Sequence, residues 1–264
     1  MKQPHYRAWH PLLAPSHMVR GTLLVIAPHP DDEVIGPGGL VAAHRDAGER
    51  VVNVVLTDGI RGDHDGSADA KAYVRARRAE SLGASEEIGG GDHIFCEFDD
   101  GGLAASFNDD PSPLVEKLRE LIRAEAPATI TFPSLYEIHP DHRAASLAVL
   151  QAVTDCSMSD VQLLAYEVGA MMPANLLINI TDFFERKSRA LSRFATQLEH
   201  QELLVQLDAL NRCRSVNCDD PLVTHCEAFL AIHSSEIADF VEEVERVLVR
   251  TDAMMPPIPP PVSR

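Results

Sequence analysis

Residues 22–40 read TLLVIAPHPDDEVIGPGGL. The five apolar residues Leu23–Ala27 form the short uninterrupted run expected of a strand buried on both faces. The run stops at Pro28, and His29, Pro30, Asp31, Asp32 and Glu33 follow. Gly36-Pro37-Gly38-Gly39 then turns the chain into a helical pattern over 40–47, ended by Gly48. One imidazole and three carboxylates at the end of a buried strand have no rationale as packing. A divalent ion supplies one, because it offsets the cost of crowding like charges away from water.

Outward from this stretch, strand-like runs recur at 51–56, 93–98, 128–132, 161–166, 176–180 and 228–232. Helical patterns fill 70–88, 113–125 (capped by Ser112), 143–153, a long stretch from 181–182 to about 210, and 235–249. Residues 60–69 and 99–111 read as polar loops. Strands alternating with helices predict an α/β, Rossmann-like three-layer fold with a mostly parallel sheet. In the strand order 3-2-1-4-5 the first and fourth strands are neighbours where the order reverses, and ligands collect beyond their carboxyl ends. The fourth strand runs into Pro133-Ser134-Leu135-Tyr136-Glu137-Ile138-His139-Pro140-Asp141-His142. The topology therefore predicts that the two richest ligand clusters of the chain meet, with the active site at the ends of strands one and four.

Two histidines and one carboxylate would leave a coordination position open, as a catalytic zinc requires. Such an ion lowers the pKa of a bound water and polarises a carbonyl. A second carboxylate could take the water's proton, and a remaining histidine could stabilise an oxyanion or protonate a leaving amine. The bland alternative is that Asp31, Asp32 and Glu33 only cap a helix and the histidines lie on the surface.

The chain has 264 residues, 45% hydrophobic and 24% charged, an ordinary balance for a globular protein able to bury a core. Its net charge of -17 argues against a nucleic-acid partner and against docking on an anionic membrane. No apolar h-region opens the sequence and no apolar run reaches membrane-spanning length. Five cysteines, an odd number without C-x-x-C, suit reduced thiols in the cytoplasm. The alternative for Cys213, Cys218, His225 and Cys226 is a second zinc site. One domain over 20–250 is expected, with an irregular segment at 1–19 and a proline-rich tail at 251–264. The oligomeric state is left open, a homo-oligomer included.

Pro28-His29-Pro30-Asp31-Asp32-Glu33 with Gly38-Gly39, and His139-Pro140-Asp141-His142 downstream, resemble the PIG-L/LmbE-like family of zinc-dependent N-deacetylases. Thr57-Asp58-Gly59, Arg77-x-x-Glu80, residues 175–187 and Cys226-Glu227-Ala228-Phe229 also look like family segments, so the likeness spans roughly 22–232. It implies removal of an acetyl group from an N-acetylglucosamine-type unit in a glycoconjugate, with one Zn²⁺ per chain. The resemblance makes His29, Asp32 and His142 the metal ligands and Asp31 the general base. His139 becomes the oxyanion-stabilising or acid residue, and Asp141 orients an imidazole. Arg77 would reach the sugar or else pair with Glu80 on the surface. Asp58 and Tyr136 are further substrate-contact candidates, Tyr136 because some relatives place a carbonyl-polarising tyrosine in its loop. Two departures, Phe194-Ala195-Thr196-Gln197 where relatives carry a histidine and Pro37 where they often have cysteine, bear on substrate fit.

A non-catalytic sugar- or nucleotide-binding protein is the competing possibility. Asp31 beside intact ligands speaks against it, since a binder has no use for that base. Gly36-Pro37-Gly38-Gly39 does not fit G-x-G-x-x-G, and its proline would remove a phosphate-binding N–H. Gly38 and Gly39 read instead as permitting close approach to the site.

Overall fold

A computed structural model of the chain describes residues 12–14, 20–63, 66, 68–216, 218 and 220–254. Among them, one sheet contains β1 (Leu12–Ala14), β2 (Leu23–Ala27), β3 (Val51–Thr57), β4 (Asp92–Phe98), β5 (Thr129–Pro133), β6 (Gln162–Tyr166), β7 (Leu176–Asn179) and β8 (Cys226–Ile232). Their order is β4-β3-β2-β5-β6-β8-β7-β1. The stretch β4-β3-β2-β5-β6 is parallel and is the 3-2-1-4-5 order expected from the sequence. β8 runs antiparallel between β6 and β7, so the sheet is mixed at that side only. Leu23 stands beside Val51 on one side and Thr129 on the other, which leaves the ends of β2 and β5 side by side.

The helices are α1 (Asp32–Ile35), α2 (Gly38–Asp46), α3 (Ala70–Glu87), α4 (Leu103–Asn108), α5 (Pro113–Glu125), α6 (Pro140–Asp155), α7 (Phe184–Leu191), α8 (Ala195–Leu198), α9 (Leu203–Ser215) and α10 (Ile237–Met254). Successive residues of β2 point to opposite faces, and each face has its own core. Leu24 and Ile26 pack with Leu114 and Leu118 of α5 and Val149 of α6, and α10 adds Val244. Leu23 and Val25 pack with Leu40 of α2, Leu191 of α7 and Leu207 of α9. Each fully buried Leu or Ile contributes roughly 1.5–3 kcal/mol, and the double coverage explains why β2 is apolar at every position. No helix among the described residues is long and apolar enough to cross a membrane.

Several local expectations are corrected. The long helix expected from 181–182 to about 210 is three pieces, α7, α8 and α9. The break lets Thr196 donate to Glu80 and Gln197 to the Tyr73 hydroxyl, contacts a straight helix would forgo. The polar loop at 99–111 contains α4, whose Leu103 is buried. Within the expected irregular segment 1–19, Leu12–Ala14 forms β1 beside β7, and the rest of that segment lies outside the described residues. Residues 255–264 of the proline-rich tail are also outside them, and α10 runs to Met254.

The glycine-rich turn serves packing rather than access to the site. A Cβ on Gly36 would sit 2.2 Å from the Tyr166 ring, and one on Gly39 2.6 Å from Ile180 and 2.9 Å from Glu227. Lys187 of α7 is fully buried here, donating to Glu227 (2.7 Å) and to the Gly36 carbonyl (2.9 Å). Glu227 in turn accepts from the N–H groups of Gly39 (2.6 Å) and Leu40 (2.8 Å), the first turn of α2. A buried ion pair thus clamps the turn to α7 and β8.

Candidate active site

The parallel strands deliver polar residues from their carboxyl ends to one cleft: His29, Asp31 and Asp32 after β2, Asp100 after β4, and Glu137, His139 and His142 after β5. The cleft has a volume of about 800 Å³. At its floor, His29 Nδ1 lies 3.3 Å from Asp32 Oδ2, and His142 Nε2 lies 3.2 Å from that oxygen and 3.3 Å from His29 Nδ1. Three donor atoms from two segments make a nearly equilateral triangle. Its edge is that of a tetrahedron whose corners stand about 2.0 Å from the centre, the spacing zinc requires of nitrogen and oxygen ligands.

The electrostatics point the same way. Burial opposes a charged His29, yet Asp100, Asp141 and Asp32 around it hold its pKa well above the imidazole value. Burial likewise opposes a charged His142, but Asp32 and Glu137 raise it to about 9. Burial would push Asp32 up, and the two imidazoles instead hold it far below the usual carboxylate range. The carboxylate cage therefore demands positive charge at its centre, and a dication meets that demand.

Behind the triangle, His29 Nε2 faces Asp100 Oδ1 at 3.2 Å and Asp141 Oδ2 at 3.3 Å. Asp141 also accepts from Gly101 N–H (2.7 Å) and Leu103 N–H (3.1 Å), joining the first turn of α6 to that of α4. Asp141 is thus seated against the imidazole of His29, in the position of a group that orients it. Asp100, which takes the Arg61 N–H at 2.8 Å, escaped the sequence analysis. Its signal was there: a carboxylate just past the end of a parallel strand.

Asp31 has φ 131° and ψ -28°, a backbone that side-chain-bearing residues rarely adopt. Glu33 holds it there by accepting the Asp31 N–H at 2.8 Å, and the Ser81 hydroxyl fixes the other Glu33 oxygen. Arg77 of α3 is buried; its Nη2 donates to the Pro30 carbonyl and lies 3.2 Å from Asp31 Oδ2. No pair with Glu80 forms, since Glu80 is engaged by Thr196. Arg77 Nε and Nη1 make no hydrogen bond to any described group. Burial raises the Asp31 pKa to about 7, Arg77 opposing and Asp32 and Glu33 assisting.

His139 caps α6, its Nδ1 accepting the Asp141 N–H at 3.2 Å. A nitrogen that accepts carries no proton, so the neutral ring bears its hydrogen on Nε2. Asp141 does not keep the His139 ring charged. Burial and the neighbouring His29 and His142 lower its pKa and outweigh Asp141, whose carboxylate is spent on His29 and α4.

Two substrate candidates fall outside the cleft lining. Asp58 accepts the Ile60 N–H at 3.1 Å and shapes the turn after β3. Tyr136 packs against the α5–α6 side of the core, where burial and Glu243 of α10 raise its pKa. The turn after β5 carries Leu135 and Tyr136 onto that core, and the segment lines the cleft from Glu137 onward. The second-zinc alternative also fails among the described residues: His225 stacks on Phe184 and faces Asp208, leaving Cys218 and Cys226 with Sγ atoms 3.6 Å apart.

The PIG-L family profile, GlcNAc-PI de-N-acetylase, matches residues 24–153, the segment from β2 to α6 that supplies the triangle. The diacetylchitobiose deacetylase of Thermococcus kodakarensis is 31% identical over 194 residues, covering 66% of this chain and 69% of that protein. The N,N'-diacetylchitobiose deacetylase of Pyrococcus horikoshii superposes with TM-score 0.67 at 23% identity, covering 81% and 85% of the two chains. The 4-carboxy-2-hydroxymuconate hydratase GalB of Pseudomonas putida superposes with TM-score 0.66 at 20% identity, covering 80% and 96%. A hydratase on the same scaffold shows that the fold alone does not choose the reaction. Sequence similarity over both motif-bearing segments does choose the lineage: this chain is a member of the PIG-L family.

Proposed function

We propose that the protein is a zinc-dependent hydrolase that removes the N-acetyl group from an N-acetylated amino sugar. The observation that carries the proposal is the donor triangle of His29 Nδ1, Asp32 Oδ2 and His142 Nε2, with Asp31 beside it. His29, Asp32 and His142 would hold the metal, which when bound supplies Lewis acidity toward the amide carbonyl and the attacking water. The family match and the deacetylase activity of the Thermococcus relative support the substrate class.

Asp31, raised toward neutrality by burial, takes the proton of the attacking water as its oxygen bonds to the carbonyl carbon. The Nε2–H of His139 donates to the oxyanion that develops. Asp31 then returns the proton to the amide nitrogen as the C–N bond breaks, releasing acetate and the free amine. His139 suits the first role better than the second, because an Nδ1 already bonded to the Asp141 N–H leaves no surplus proton to give. Arg77 lines the cleft, but its Nε and Nη1 are buried, so its guanidinium is set against Asp31 rather than presented to sugar hydroxyls. Gln197 and Gln201, which also line the cleft, offer neutral amides to sugar hydroxyls.

The proposal is tested by incubating the purified protein with N-acetylglucosamine, N,N'-diacetylchitobiose and aryl N-acetylglucosaminides and measuring released primary amine. Turnover abolished by a chelator and restored by Zn²⁺ is expected. Binding of these sugars without amine release would favour the non-catalytic alternative.

A further inference from the structure

Glu137 stands between His142 and the wall of the cleft. It is 3% exposed, and three consecutive backbone N–H groups of the segment after β6 converge on it. Oε1 accepts from Val168 (2.7 Å) and Ala170 (3.3 Å), and Oε2 accepts from Gly169 (3.0 Å). Oε2 also lies 3.5 Å from His142 Nδ1, a buried nitrogen with no hydrogen-bond partner among the described residues, so this carboxylate is the acceptor it faces. Val168, Gly169, Ala170 and Met171 line the cleft.

A buried carboxylate that receives three N–H groups has its orientation fixed from the backbone, so the lone pairs it turns toward His142 are fixed too. A carboxylate facing Nδ1 requires the hydrogen there and leaves the lone pair on Nε2, the atom in the donor triangle. We infer that Glu137 is a positioning residue that selects the Nδ1–H tautomer of His142 and ties the metal-binding histidine to the 168–170 wall of the substrate cleft. The inference rests on the metal centre proposed above. It adds a specific coupling: the cleft segment cannot move away without releasing the carboxylate that readies His142.

The substitution Glu137→Gln separates this from a purely structural staple. A glutamine keeps the shape, and its carbonyl can still accept two of the three N–H groups. Its NH₂ then faces Gly169 N–H and His142 Nδ1, which pushes His142 toward the Nε2–H tautomer that cannot ligate through Nε2. Glu167→Gln is the control. Glu167 pins the far end of the same segment through Met172 N–H (2.7 Å) and Arg214, with no bond to His142. Zinc affinity is measured by competition with a chromophoric chelator for wild type and both variants. Helical content and melting temperature are recorded alongside.

The expected result is a loss of roughly 10–100-fold in zinc affinity for Glu137→Gln and little for Glu167→Gln. Equal affinity in Glu137→Gln and wild type, or equal losses in both variants, would overturn the inference. Failure of the wild type itself to bind zinc would instead overturn the metal centre. Should Glu137→Gln not fold, long-range ¹H–¹⁵N spectra of the zinc-loaded wild type decide. A proton on His142 Nδ1 is expected, and one on Nε2 refutes the assignment.

Discussion

Arg77→Met separates two things that Arg77 could do. The guanidinium lies 3.2 Å from Asp31 Oδ2 and is buried with it, so it opposes the burial that raises the Asp31 pKa to about 7. A cation at that distance typically lowers a carboxyl pKa by roughly 1–3 units, each unit being about 1.4 kcal/mol. Asp31 works in its deprotonated form, so removing Arg77 raises the pKa and shrinks the working fraction at any pH below it. The acid limb of kcat/KM should therefore move up by roughly 1–3 units. At pH values below both acid limbs the rate should fall about 10–10³-fold, and the two proteins should converge as the pH rises. A dication bound beside Asp31 lowers the limb in both proteins alike, so the separation survives. The assay is amine release from an N-acetylated amino sugar between pH 5 and 9, at zinc saturation, with circular dichroism to confirm folding. An unmoved acid limb with a raised KM at every pH would refute the reasoning and leave Arg77 as a sugar contact only.

His139→Ala removes an oxyanion donor and a helix cap together. Turnover should fall about 10²–10³-fold with zinc content and the acid limb unchanged, and stability should drop by roughly 0.5–2 kcal/mol. Loss of zinc would make His139 a ligand. Lys187→Met leaves Glu227 in the core with only the Gly39 and Leu40 N–H groups for company. It should cost about 3–5 kcal/mol in urea unfolding, which corresponds to a melting temperature lower by roughly 6–20 °C. A loss under 1 kcal/mol would show that the clamp on the glycine-rich turn is not needed for stability.

The parallel half of the fold was legible because its strands are buried on both faces and so appear as plain apolar runs punctuated by polar ends. Leu23–Ala27 and the strands at 51–56 and 128–132 were found this way, and their order followed from the rule that places ligand clusters at the reversal. β1 was not legible, since three residues carry no period. Nor were the breaks between α7, α8 and α9, where neither proline nor glycine interrupts the pattern. Tertiary contacts of Thr196 and Gln197 set those ends.

At the site, His29, Asp31, Asp32, His139, Asp141 and His142 were readable because charged residues at buried strand ends demand a reason. Asp100 and Glu137 were missed for a different cause. Each is one carboxylate in a loop, and its burial against an imidazole depends on how separate strands align. Tyr136 was misplaced because the turn after β5 carries it, with Leu135, onto the core, and the segment lines the cleft only from Glu137 onward.

Asp31 and Asp32 are adjacent and chemically identical, yet the account gives them different work: Asp32 Oδ2 is a corner of the donor triangle, and Asp31 stands beside it against Arg77. Elemental analysis of purified Asp31→Asn and Asp32→Asn, run with amine-release kinetics, is the most direct test. Asp31→Asn should retain about one zinc per chain and lose roughly 10²–10⁴ in turnover. Asp32→Asn should lose the metal. Full zinc in Asp32→Asn, or turnover within a few-fold of wild type in Asp31→Asn, would contradict the account.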